Sequence, residues 1–115
     1  MIIKETKLDN ITIVAPVGTL DASTASLLNE NKVLSETSAT VVLDLSQVDF
    51  LDSSGLGALV GIARKKREKK ADMVLTSMND NVRKVFEITQ AFQLFDVYDD
   101  ARSAAEHCRT KTASQ

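Results

Sequence analysis

Four consecutive residues, Asp52-Ser53-Ser54-Gly55, place a carboxylate, two hydroxyls and a residue without a side chain side by side. Asp and Ser accept free amides at the start of a helix, and Gly lets the backbone turn tightly. The positive end of a helix dipole is also where a phosphate is electrostatically favoured. One chemistry open to these residues is therefore phosphate-ester formation on Ser54 or Ser53. A second is nucleophilic catalysis by Ser54, which requires a base and an orienting acid. The sole histidine, His107, lies far along the chain beside the sole cysteine, Cys108. No Gly-x-Ser-x-Gly elbow is present. No Gly-rich phosphate loop or metal-ligand cluster occurs either, so neither metal nor cofactor is expected. The plain alternative for Ser53, Ser54, Asp52 and Asp21 is helix capping.

Two elements must position these residues. Upstream, Val41-Val42-Leu43-Asp44-Leu45 is an apolar, β-branched run of strand length, the pattern of a buried strand. Downstream, Leu56, Leu59, Val60 and Ala63 recur at i, i+3, i+4 and i+7, one apolar stripe on a helix. Gly57 and Gly61 sit one turn apart in that helix, and each costs about 1 kcal/mol against alanine. Close packing, against the sheet or against a partner, would offset that cost. The helix ends in Arg64-Lys65-Lys66-Arg67-Glu68-Lys69-Lys70. Cations there complement the helix dipole, and the run reads as a solvated helix end rather than a nucleic-acid or lipid patch.

Around this junction the chain alternates strands and helices. Ile2 to Leu8 and Ile11 to Ala15 predict an opening hairpin through an Asp9-Asn10 turn, with Pro16 at an edge or bulge. Gly18-Thr19-Leu20-Asp21 turns the chain, and Asp21 caps a helix from Ala22 to about Ser35 with Leu27, Leu28 and Leu34 inward. A polar connector covers residues 36–40. Met73 to Thr76 is a short strand. Asn79 caps a third helix with Val82, Val85, Phe86 and Thr89 on one face. Phe92, Leu94 and Phe95 are apolar anchors in the loop after it. Val97-Tyr98 is a last strand, Asp99-Asp100 opens a final helix through about His107, and residues 110–115 form a polar, frayed tail. This order predicts an α/β fold, a mostly parallel sheet with an antiparallel edge and about four helices.

Length and charge narrow the classes further. A chain of 115 residues is one domain and buries roughly 65% of its unfolded surface, enough for a core without staples. Aromatics make up 4% of residues with no Trp, which argues against stacking platforms for single-stranded nucleic acid. The net charge of −2 argues against nucleic-acid binding in general. One cysteine forbids an internal disulfide and fits a reducing compartment. No apolar run approaches the roughly 20 residues of a membrane span, and the charged start is no signal peptide. A cytoplasmic protein without direct membrane insertion is the expectation.

Leu43-Asp44-Leu45-Ser46, Val48-Asp49-Phe50 and Asp52-Ser53-Ser54-Gly55-Leu56-Gly57 together resemble a STAS domain, the domain of bacterial anti-sigma factor antagonists and of the cytoplasmic tails of sulphate transporters. Gly18-Thr19-Leu20-Asp21 matches the family's Gly-x-Leu/Ile-Asp turn, and Val82-Arg83-Lys84-Val85-Phe86 is similar to its third-helix pattern. The likeness runs to about Ala105, and the domain is expected over residues 1–109. It implies a four-helix α/β sandwich with the helices mainly on one side of the sheet, and a stand-alone antagonist that is not an enzyme. By position it implies phosphorylation of Ser54, with Ser53 the runner-up, by a serine-kinase anti-sigma factor or related switch kinase, reversed by a metal-dependent phosphoserine phosphatase. Asp21 would help recognition, and Asp52, Ser53, Gly55, Gly57 and Gly61 would complete the partner-facing surface. Rival expectations are an accessory subunit of a membrane transporter, a scaffold in a larger signalling assembly, and a small serine hydrolase.

Overall fold

The computed structural model describes residues 2–8, 11–35 and 40–113, with side chains as far as residue 108. The expected Asp9-Asn10 turn and most of the 36–40 connector lie outside the described residues. The strands are β1 (Ile2–Leu8), β2 (Ile11–Leu20), β3 (Val41–Asp44), β4 (Val48–Leu51), β5 (Met73–Thr76) and β6 (Val97–Tyr98). The helices are α1 (Ala22–Glu30), α2 (Lys32–Ser35), α3 (Ser53–Glu68), α4 (Asp80–Thr89) and α5 (Ala101–Ala113), with a 3-10 turn over Ala91–Leu94.

The sheet runs β1-β2-β3-β5-β6, with β4 also paired to β2. Among the described residues, only the β1–β2 pair is antiparallel. β2 is longer than the sequence suggests because it serves two partners in succession. Its Thr12–Val14 segment pairs with β3 and its Gly18–Leu20 segment with β4. Pro16, opposite Ile3 of β1, falls between those two segments. A residue without an N–H is tolerated there because neither parallel neighbour requires a donor from it. Gly18, expected in a turn, instead lies within β2 at φ +116°, beside the register shift that lets β4 take over from β3. That backbone conformation favours glycine.

The strand expected over Val41 to Leu45 is β3, but a further short strand that the sequence order did not include, β4, follows it before α3. Asp44 ends β3, its carboxylate accepting the Ser46 amide at 2.9 Å, and β4 starts at Val48. The helix expected from Ala22 to Ser35 is two. Asn31 is extended at ψ 124°, and its side chain accepts the Leu34 amide at 3.1 Å, which starts α2. Leu28 and Leu34 are buried as expected, whereas Leu27 is 38% exposed. α5 continues to Ala113, beyond the expected end near His107.

The main core lies between the sheet and α1 to α4, with Leu20, Leu43, Leu51, Leu59, Leu75 and Phe86 fully or nearly fully buried. A smaller core, Ile13, Val42, Val74, Ala104 and Cys108, lies under α5 on the other face. The helices thus crowd one side of the sheet, with α5 alone opposite.

Candidate functional site

β4 delivers the chain to α3, and the junction is fixed from both sides. The Asp52 amide donates to the Leu20 carbonyl at 3.1 Å, tying the start of α3 to the end of β2. Gly55 is pressed against the same residue: a Cβ there would lie 2.4 Å from the Leu20 carbonyl oxygen. Gly55 is therefore required by internal packing.

Asp52 is the N-cap of α3. One carboxylate oxygen accepts the amides of Ser54 at 2.9 Å and Gly55 at 3.0 Å. The amides that the sequence offered to an incoming phosphate are thus already satisfied by a carboxylate. Ser53 and Ser54 are both exposed.

Asp21 caps α1 beside this junction, because it follows Leu20 directly. Its Oδ1 accepts the Ser23 hydroxyl at 2.6 Å and the Ser23 amide at 2.9 Å. Thr24 closes a capping box, its hydroxyl accepting the Asp21 amide at 3.0 Å. The Ser23 hydroxyl bond is the main reason that the Asp21 carboxyl is held below its ordinary value. Two helices therefore begin close together, each capped by an aspartate, with both candidate hydroxyls at the surface.

The glycines of α3 divide by role. Gly57 and Gly61 would meet nothing within 4 Å if each carried a Cβ. The internal-packing explanation open for them in the sequence is not met. At 3.6 residues per turn, Ser54, Gly57, Gly61 and Arg64 fall in one strip along the outer face of α3. The stripe of Leu56, Leu59 and Ala63 faces the core as expected, with Val60 half-buried. In the basic run, Lys66 departs from the solvated-end reading: it is fully buried and its Nζ lies 3.4 Å from the Val33 carbonyl.

Two neighbours of the site, Asp49 and Phe50, figure in the sequence only as carriers of the resemblance, with no role at the site expected of them. Asp49 accepts the Thr19 hydroxyl at 3.0 Å, bracing β4 on β2. Phe50, three residues before Ser53, is 50% exposed. Alternation from buried Val48 would place Phe50 inside, but Leu51 takes the buried position after the register shift beside Gly18. His107, which a hydrolase would need as base, sits on α5 across the sheet from α3, against the Tyr98 ring at 5.1 Å and 3.9 Å from Asp96. The Ser–His pair is not assembled. Cys108, next to it, is buried.

Residues 3–104 match the family model described as the STAS domain. The anti-sigma-B factor antagonist of Listeria monocytogenes is 33% identical over 97 residues, covering 83% of this chain and 84% of that one. The crystal structure of a Thermotoga maritima protein, provisionally assigned as an anti-sigma factor antagonist, superposes with a TM-score of 0.83 at 25% identity, over 93% of this chain and 94% of that one. The unphosphorylated form of the anti-sigma factor antagonist SpoIIAA gives a TM-score of 0.77 over 95% and 97% of the two chains; at 18% identity it speaks to the fold alone. The strand-to-helix junction, the two-sided sheet and these matches agree: the chain belongs to the STAS domain family.

Proposed function

We propose that this protein is an anti-sigma factor antagonist that works as a phospho-switch in the cytoplasm. Unmodified, it binds a serine-kinase anti-sigma factor or related switch kinase, drawing that partner from its sigma factor by competition. The kinase phosphorylates Ser54, and a phosphoserine phosphatase restores the hydroxyl. The observation that carries this reading is the exposed Ser54 hydroxyl on an Asp52-capped helix start, beside the Asp21-capped start of α1. The similarity to named antagonists, Listeria monocytogenes among them, supports it.

The physics of the corner favours a change of affinity over a change of shape. A phosphate adds about −1.5 to −2 charges. Asp52 already occupies the Ser54 and Gly55 amides, so the new dianion stands beside a carboxylate instead of replacing a missing ligand. In water this crowding is screened and the fold persists. Inside an interface the same charges must be desolvated or paired, and binding fails. Ser54 is preferred over Ser53 because it lies on the strip of Gly57 and Gly61, where another backbone can approach.

Phosphopeptide mapping of the protein isolated from its own cells tests the reading. Phosphate on Ser54 is expected. Phosphate on Ser53 alone would move the switch by one residue. A chain that its kinase partner never modifies, and a partner indifferent to Ser54 substitution, would instead favour an accessory or scaffold role.

A further inference from the structure

The far end of α3 holds a feature that the Ser54 corner does not use. Val60, Ala63 and Arg64 face Leu94 and Phe95 across a cleft of about 340 Å3, open on its solvent side. Ala63 and Phe95 are buried and make its floor, while Leu94, an expected core anchor, is 43% exposed on its rim. The far wall is pinned. The Arg67 guanidinium donates to the Leu94 carbonyl and reaches Asp72 Oδ1 at 3.4 Å.

The cleft lining carries two arginines, Arg64 and Arg67, against one carboxylate, Glu68. Arg64 is exposed and joins no ion pair among the described residues. Glu68, the one carboxylate of the lining, is paired with neither arginine. Lys65, Lys69 and Lys70 extend the charge past the cleft. The opposite end of α3 is bordered by Asp21, Asp49 and Asp52. The exposed face of this helix is thus polarised, negative at Ser54 and positive at Arg64, about 15 Å apart by helical rise. Between them Gly57 and Gly61 leave the track unobstructed.

We propose that this cleft is a second docking point, which seats an apolar side chain of a protein partner whose neighbouring residues are carboxylates. The floor accepts a Leu- or Phe-sized group, and the unpaired Arg64 guanidinium selects a carboxylate beside it. An open cleft continuous with a helix face suits an extended protein segment better than an enclosed small molecule. The charge polarity along α3 would fix the orientation in which such a partner lies. The inference does not rest on the phospho-switch, since no part of the cleft involves Ser53 or Ser54.

The test is a titration of the full chain, followed by amide chemical shifts, with two blocked peptides, Ac-Glu-Leu-Asp-Phe-Glu-NH2 and Ac-Lys-Leu-Lys-Phe-Lys-NH2. The acidic peptide is expected to move the amides of Val60, Arg64, Leu94 and Phe95 saturably. The basic peptide should bind at least about tenfold more weakly. Arg64→Glu combined with Leu94→Ser, both exposed positions, should weaken the acidic peptide to a similar degree at unchanged melting temperature; Arg64→Lys should retain most of the binding, and Ser54→Asp all of it. Equal shifts from both peptides, shifts confined to Ser53–Gly55, no saturable shifts, or tighter binding of decanoate at the same amides would each overturn the proposal.

Discussion

A Cβ placed on Gly55 would stand 2.4 Å from the carbonyl oxygen of Leu20. That oxygen also accepts the Asp52 amide. One backbone carbonyl thus sets both the hydrogen bond and the closest approach that seat α3 on β2. Gly55→Ala should overpack this contact and lower stability by about 1–3 kcal/mol. Denaturant midpoints would check it, and an unchanged midpoint would contradict the packing.

Gly57→Ala and Gly61→Ala should do the opposite. Both Cβ atoms would enter open space, and alanine is a better helix former by about 1 kcal/mol at each position. The pair should melt higher than the parent. If the outer strip of α3 is the partner surface, the same stabilised variant should bind its partner more weakly. Thermal melts and binding assays on one preparation separate the two effects.

Asp52→Ala should cost about 0.5–2 kcal/mol, because the Ser54 and Gly55 amides lose their acceptor. Asp52→Asn should recover most of this, since an asparagine oxygen also caps. Urea unfolding of the three proteins measures it; equal stabilities would mean that water serves the helix end as well as the carboxylate does.

Acid should weaken the fold through Asp21 and Asp100. The Ser23 hydroxyl holds the Asp21 carboxyl low, working against burial, and the Ser103 amide does the same for Asp100. Each carboxyl binds its proton less tightly in the folded chain than in the unfolded one. Their contribution is therefore complete above the ordinary value of 3.8 and disappears as pH falls through the lowered folded values. The melting temperature should drop below about pH 4, and Asp21→Asn with Asp100→Asn should flatten that limb. An acid limb as steep as the parent's would assign the loss to other groups.

Lys66→Ala should destabilise by about 2–5 kcal/mol, as expected for truncating a fully buried long side chain. It also removes the Nζ contact that joins α3 to the Val33 carbonyl within α2. Hydrogen exchange should then rise first in α2. A change within about 0.5 kcal/mol would show that the side chain is not held inside.

What was legible in the sequence was what strong periodicity or a specific motif records. The apolar stripe of α3, its Asp52 cap and the hydrophobic β3 run needed no tertiary knowledge. The misread elements are those where one segment serves two neighbours. β2 runs on through Pro16 because β3 and β4 share it, a division that local propensity does not encode. Asn31 broke a helix through a side-chain cap, a choice Asn makes only in context. Lys66 was assigned to solvent with its basic neighbours, yet its position on the helix turns it inward, since its stem is as apolar as a core residue. At the candidate site, the capping roles of Asp21 and Asp52 were readable from residue type and position. The exposure of Phe50 was not, because it depends on a register shift between β2 and β4 in which β4 carries the extra residue.

The central claim is that a phosphate on Ser54 leaves the protein folded and removes its grip on the anti-sigma partner. The most direct measurement compares the affinity of that partner for the unmodified chain and for the chain carrying phosphoserine at position 54, with melting curves taken on both. The account predicts closely similar melting and a loss of affinity above a hundredfold, roughly 3 kcal/mol. Equal affinities of the two forms would contradict it.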